Sequence, residues 1–181
     1  MQSLKNELIR KSIHFVGVGY IPLYLYTGKD FTLMIVLSLT AISSAIVFLG
    51  LRYSIIPNSI LRDHEINGIA SHFYTGIAIS LITFLMPMEA CFVAIANGIV
   101  GDGISGLVKR YHKKIALISM FVSSFIFLTF LSVYVELNFY ALISACLAGM
   151  IAESTSAVRG YYINDNFSVP VVSSVVYSLF Q

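Results

Sequence analysis

The chain has 181 residues, of which 57% are hydrophobic and 11% charged, and a net charge of +2. Soluble domains carry roughly 25% charged residues. Together with a mean hydropathy of +0.85, this excludes an ordinary water-soluble domain and leaves one unit, residues 1–181, expected to be embedded in a membrane.

A helix needs about 20 apolar residues to cross the hydrocarbon core. Hydropathy and breaks predict an all-α polytopic bundle of about seven transmembrane helices, near 12–27, 31–50, 66–86, 90–108, 115–135, 138–158 and 168–181. The first run lacks a small-residue cleavage site, so it reads as a retained helix and not a signal peptide. The first and last runs are short, as tilted or re-entrant segments are. Cys91 and Cys146 lie in apolar runs without a CxxC or CxxH pattern, which reads as two small buried hydrophobes.

The first helix opens with Glu7, Arg10, Lys11 and His14, three or four residues apart and so on one face. A basic start is ordinary for topology; a histidine inside the apolar run is not. The third run follows Arg62 and Glu65 and holds His72, seven residues past Glu65. At about 1.5 Å per residue that is about 10 Å inward.

The fourth run holds the most informative residue. Asp102 sits in Gly98-Ile99-Val100-Gly101-Asp102-Gly103-Ile104-Ser105-Gly106, seven residues before Lys109. A carboxylate within a membrane helix is costly and marks a functional site by default. The glycines allow close backbone approach or a broken helix, or serve helix packing. Glu153 repeats the geometry in the sixth run, six residues before Arg159. Two carboxylates at one depth repel unless a cation or proton lies between them. Mg²⁺ suits a few carboxylates plus substrate phosphates. A Glu153–Arg159 or Glu153–His contact is the structural alternative. Asn164-Asp165-Asn166 precedes the last run, where Asn and Asp equally favour a turn.

With the N-terminus in the cytoplasm, ten of the eleven Lys and Arg residues fall on the cytoplasmic side and only Lys29 falls opposite, as the positive-inside rule requires. Topology and lipid-headgroup contact suffice for Lys5, Arg52 and His112. They do not explain why Glu7, Asp63, Glu65, Asp102, Glu153, Asp165 and all four histidines collect there too. Oxygen ligands, basic side chains and histidines on one face form the inventory of phosphoryl transfer. No Walker A, HExxH or Cys/His zinc signature is present, and nothing points to nucleic acid.

In these residues the chain resembles the membrane-bound CTP-dependent lipid alcohol kinases. That group holds dolichol kinase, phytol kinase and yeast-type diacylglycerol kinase, and is related to phosphatidate cytidylyltransferases. The resemblance covers nearly the whole chain. It rests on Glu7 to His14, on Arg62-Asp63-His64-Glu65, on Gly101 to Gly106 with the basic loop after it, on Glu153, and on Asp165 to Pro170. The chain departs from the family after the glycine–aspartate motif. A Lys-Ser followed by Glu-Gly-Ser is common there, and here Lys113-Lys114-Ile115-Ala116-Leu117-Ile118-Ser119 stands in its place.

The resemblance implies CTP as phosphate donor, Mg²⁺ or another divalent cation, and a long-chain isoprenoid alcohol arriving from the bilayer. It implies metal binding by Asp102, Glu153 and Asp165. It implies nucleotide contacts from Arg10, Lys11, Arg62, Glu65, Lys114 and Asn166. A carboxylate such as Asp102, or His14 or His72, is expected to take the alcohol proton. A CDP-lipid synthase and a small transporter are the rival expectations, and a homodimer is left open.

Overall fold

The structure is a computed structural model, and it describes residues 4–52, 71–155, 157–158, 161–162 and 164–181. Nearly all of these are helical. Helix α1 (Leu4–Phe15) passes through a single 3₁₀ turn (Val16–Gly19) into α2 (Tyr20–Thr27). Phe15, Gly19 and Tyr20 all keep right-handed helical backbone, so residues 4–27 form one continuous rod. Gly28, at φ +79°, then reverses the chain, a conformation that suits glycine after a helix. Helix α3 (Lys29–Arg52) follows, and α4 (Ser71–Leu85) is the next described element.

Helix α5 (Met88–Ile95) runs through a π-helical turn (Ala96–Gly101) into α6 (Asp102–Lys109). Helices α7 (Lys113–Leu131) and α8 (Phe139–Thr155) come next. A two-residue antiparallel pair, β1 (Ala157–Val158) with β2 (Tyr161–Tyr162), separates α8 from α9 (Asp165–Phe180). The described residues thus form seven helical rods: 4–27, 29–52, 71–85, 88–109, 113–131, 139–155 and 165–180.

The rods alternate in direction. Lys11 meets Asp102, Tyr20 meets Thr83, and Tyr24 packs on Phe92, so the first rod runs antiparallel to α5–α6. Ser124 meets Ala96 and Met120 lies against Gly101, so α7 runs antiparallel to that central rod; Cys146 meets Asn97 and Glu153 meets Lys109, so α8 runs parallel to it. At the far end Ser178 bonds Met86, and the Asn138 N–H donates to the Tyr177 hydroxyl. Among the described residues Lys29 alone of the Lys and Arg residues lies at that far end, by its place in the α2–α3 turn.

Among the described residues, three helices are long and apolar enough to cross a membrane: Lys29–Gly50, Met88–Lys109 and Lys113–Leu131. Their roles differ. The α5–α6 rod is central, with 72% of its most apolar stretch buried inside the protein, against 11% for α3. A helix that is apolar all round belongs in a core or in lipid; the α5–α6 rod is the core of this protein, and the protein leaves most of the apolar stretch of α3 uncovered. Hydroxyls in the apolar rods bond back one turn, as Thr40 does to Val36 O and Thr83 to Ile79 O.

The central rod is approached closely from two sides because it presents glycines. A Cβ on Gly98 would lie 3.1 Å from Pro170 of α9. One on Gly101 would collide with the Ser124 hydroxyl and sit 3.0 Å from Met120 Cγ of α7. Both α7 residues are fully buried, and the Ser124 hydroxyl is held to Ala96 O at 3.1 Å, so neither yields readily. Gly19 is the contrasting case, exposed and helical with open space where a Cβ would go. Gly101→Ala is expected to lower stability by about 1–3 kcal/mol through overpacking. Gly19→Ala is expected to raise it by about 0.5 kcal/mol through reduced freedom of the unfolded chain. Thermal unfolding in micelles of one detergent checks the opposite signs.

Candidate functional site

The π turn sets up the first half of the site. The Asp102 N–H reaches back five residues to Asn97 O. The carbonyl that an α-helix would have used, Gly98 O, is instead met by His14 Nε2 at 3.0 Å. A carbonyl only accepts, so that ring nitrogen donates. The same Nε2 lies 3.4 Å from Asp102 Oδ2. Three residues earlier on the same face of α1, Lys11 Nζ donates to Asp102 Oδ2 at 2.8 Å and to Asp102 O at 2.9 Å. Lys11 is only 4% exposed, a depth at which lysine needs such a partner.

The second half comes from the ends of α6, α8 and α9. Glu153, near the end of α8, is 4% exposed, and its Oε1 accepts from Lys109 Nζ at 2.9 Å. Asp165 stands in the first turn of α9. Asn164 is the N-cap, its Oδ1 accepting from Asn166 N–H at 3.0 Å, and Asp165 Oδ1 accepts from the same N–H at 3.0 Å. A carboxylate here is favoured by the positive end of the helix.

These pieces converge. One carboxylate oxygen each from Asp102, Glu153 and Asp165 lie within 4.8 Å of one another. The two lysines tied to this group offset two of its three negative charges. The remaining repulsion in a poorly solvated place favours a cation or a proton among them. Hard oxygen donors of this kind fit Mg²⁺, which takes one or two carboxylates and fills the rest of its octahedron with water or phosphate. Zinc or copper would call for nitrogen or sulfur, and no histidine or cysteine belongs to the trio.

Of the residues selected from sequence, the structure brings Lys11, His14, Asp102, Glu153 and Asp165 together. Asn166 lies beside them, and it is its backbone N–H that is engaged, in the cap. His72 opens α4, which packs on α3 and α9, and it is not one of the clustered ligands. Lys114 is exposed at the start of α7, away from any ion pair among the described residues. The Arg10 side chain, Arg62 and Glu65 lie outside the described residues. Arg159, one suggested partner of Glu153, lies outside them as well.

Lys109 is the residue that sequence reasoning passed over. It had served only to mark the end of a span. Its spacing carried the signal: seven residues is two helical turns, so Lys109 shares a face with Asp102 and reaches the Glu153 side of the site. No family model, characterised protein or solved structure matches this chain.

Removing one partner of a buried ion pair leaves the other uncompensated. Lys11→Met is therefore expected to cost about 3 kcal/mol or more of stability. Lys114→Met should stay within about 0.5 kcal/mol, as surface changes do. Denaturation of both variants in the same micelle checks the contrast, and equal losses would contradict the assignment of Lys11 to the buried pair.

Proposed function

We propose that the protein is a multi-pass membrane phosphotransferase that moves the γ-phosphate of CTP to a long-chain isoprenoid alcohol. The observation that carries this reading is the trio Asp102, Glu153 and Asp165 gathered with Lys11, Lys109 and His14 at one end of an apolar bundle. On this reading all seven rods cross the bilayer. The exposed faces of α3, with Phe31, Met34, Leu39, Ile42, Ile46 and Phe48, meet lipid, since an apolar surface of that extent marks a membrane or protein contact. The N-terminus and the site face the cytoplasm, because the basic residues concentrate at that end. CTP and an isoprenoid alcohol come into the reading from the resemblance to lipid alcohol kinases. The physical chemistry of the site supports a phosphate donor and a cation.

Asp102, Glu153 and Asp165 would hold Mg²⁺, which supplies neutralisation of phosphate charge when bound. The chain's own residues do the rest. Lys11 fixes the Asp102 carboxylate from the α1 side, and Lys109 fixes Glu153 from the α6 side. His14, bonded to Gly98 O and close to Asp102, holds the π turn and the carboxylate in register. In the transfer, the alcohol oxygen forms a bond to the γ-phosphorus, the bond from that phosphorus to the β–γ bridging oxygen breaks, and CDP leaves. The alcohol proton passes to a carboxylate of the trio or to His14 at Nδ1, since its Nε2 already carries the proton it donates to Gly98 O. The lipid tail lies among the apolar helices and the reacting hydroxyl at the polar end.

The purified protein is expected to transfer label from γ-labelled CTP to a polyprenol or geranylgeraniol. Label that stays out of the lipid while the cytidine α-phosphate enters it would instead make the protein a CDP-lipid synthase. Asp102→Asn keeps a hydrogen-bond acceptor for Lys11 though not its countercharge, and the variant that still folds should lose at least about 100-fold in transfer, the scale of removing one electrostatic group from a transition state. Full activity of that variant would remove Asp102 from the chemistry. Mn²⁺, followed by electron paramagnetic resonance, should bind at one site per chain and be released or weakened by Asp165→Asn.

A further inference from the structure

The two lysines of the site stand on different kinds of element. Lys109 belongs to the central rod, which is largely buried. Lys11 belongs to α1, where it is the one buried residue among those whose side chains are described. The first rod changes character along its length. Beyond the 3₁₀ turn it buries Tyr20, Ile21 and Tyr24, whereas Ile13 is 67% exposed and Val16, where the turn begins, 76%. Among the described residues, the polar ties of α1 to the central rod run through the site itself: Lys11 on Asp102 Oδ2 and O, and His14 on Gly98 O. The junction between the two halves is the turn Val16–Gly19. A 3₁₀ stretch inside a helix often marks a hinge, and at Gly19 the space where a Cβ would go is open.

The charges of the site say what would move this arm. Three carboxylates face two lysines, a deficit of one positive charge. A divalent cation among the acids turns that deficit into an excess of one, and one lysine becomes surplus. Like charges held together in a poorly solvated place repel strongly. Lys109 is fixed to a buried rod. Lys11 can leave with its arm, because hinges absorb such a change in a few residues.

We propose that α1 is a charge-gated arm: Lys11 stands in for a metal ion at Asp102 in the cation-free protein, and a divalent cation entering the trio displaces it and swings α1 outward about Val16–Gly19. The proposal rests on reading the trio as a cation site. A phosphate-bearing donor returns negative charge to the site, so the arm closes again and brings Lys11 and His14 back for the transfer. The arm thus opens for loading and shuts for chemistry. By linkage, docking of α1 weakens cation binding by the same factor as the cation weakens docking.

The test uses the wild-type chain in nanodiscs and a water-soluble amine-acylating reagent, with each lysine followed by mass spectrometry. Lys11, buried and paired, should react slowly in chelator, while the exposed Lys113 and Lys114 report the reagent's activity. With the released form at about 10% of the population or less in chelator, saturating Mg²⁺ should speed acylation of Lys11 about tenfold and leave Lys113 and Lys114 unchanged. Inorganic pyrophosphate, added with excess free Mg²⁺, should return Lys11 to slow reaction. Spin labels at Ile13→Cys and Ile118→Cys, both exposed positions, should shift to a new distance with Mg²⁺ in double electron–electron resonance; Cys91 and Cys146 are buried and stay unlabelled. Mn²⁺ bound at the trio while Lys11 reacts as slowly as in chelator overturns the arm and leaves the cation site standing. No bound Mn²⁺ removes the cation site and the arm with it. Faster acylation at an unchanged distance assigns the release to the Lys11 side chain alone and overturns the hinge, and release that pyrophosphate does not reverse overturns the closing step. The kinase reading is judged separately: Lys11 released by Mg²⁺ without label transfer from γ-labelled CTP keeps the arm and removes the kinase.

Discussion

Three carboxylates held within 4.8 Å of one another inside an apolar protein are the constraint to which the rest of this structure answers. Acids in such a place are expensive unless each is paired and hydrogen-bonded. The fold answers with one device per acid. Helix α1 brings Lys11 and His14 to Asp102, α6 ends on Lys109 to meet Glu153, and α9 places Asp165 at its own positive end. Lys11, His14 and Lys109 are all far in sequence from the acids they meet. The site exists only when the first rod, the central rod, α8 and α9 are assembled, which ties the chemistry to the topology of the bundle.

The π turn links packing to chemistry. By widening one turn of the central rod it hands Gly98 O to His14 and leaves Asp102 facing α1. On the other face of that turn the Ser124 hydroxyl bonds Ala96 O, and Pro170 packs on Gly98. The turn is therefore gripped from α1, α7 and α9 at once. π turns recur at functional sites, and here the physical reason is visible: one displaced carbonyl anchors the histidine that stands beside the acid. Among the described residues, the far end of the bundle carries no such device. Its turns are closed by Gly28, by Pro87 ahead of α5 and by the Asn138 side chain capping α8.

Much of this was legible in the sequence, for specific reasons. Helix limits follow from apolar length, and the positions of Asp102 and Glu153, seven and six residues before a basic residue, placed two acids at similar depth. The glycines around Asp102 announced close approach or a break; the structure shows close approach within an unbroken rod. Three things were not legible. The π turn leaves no mark distinct from any glycine-rich helix. Asp165 and Asn166 read as loop residues, because Asn and Asp serve turns and N-caps alike, and they are the first turn of α9. Lys109 was hidden among four basic residues near a span end, where topology accounts for all of them equally. The two-turn spacing from Asp102 sets Lys109 on the face of the acid, but its pairing with Glu153 is a property of the assembled bundle.

The most direct test of the central claim replaces Mg²⁺ by Fe²⁺ and generates hydroxyl radicals at the bound ion with ascorbate and peroxide. If one cation is shared by the three acids, backbone cleavage falls together near Asp102, Glu153 and Asp165, excess Mg²⁺ suppresses all three cuts, and Asp102→Asn abolishes them as a set. Cleavage confined to one of these segments, or cuts that persist unchanged in Asp102→Asn, would show that the acids do not share an ion.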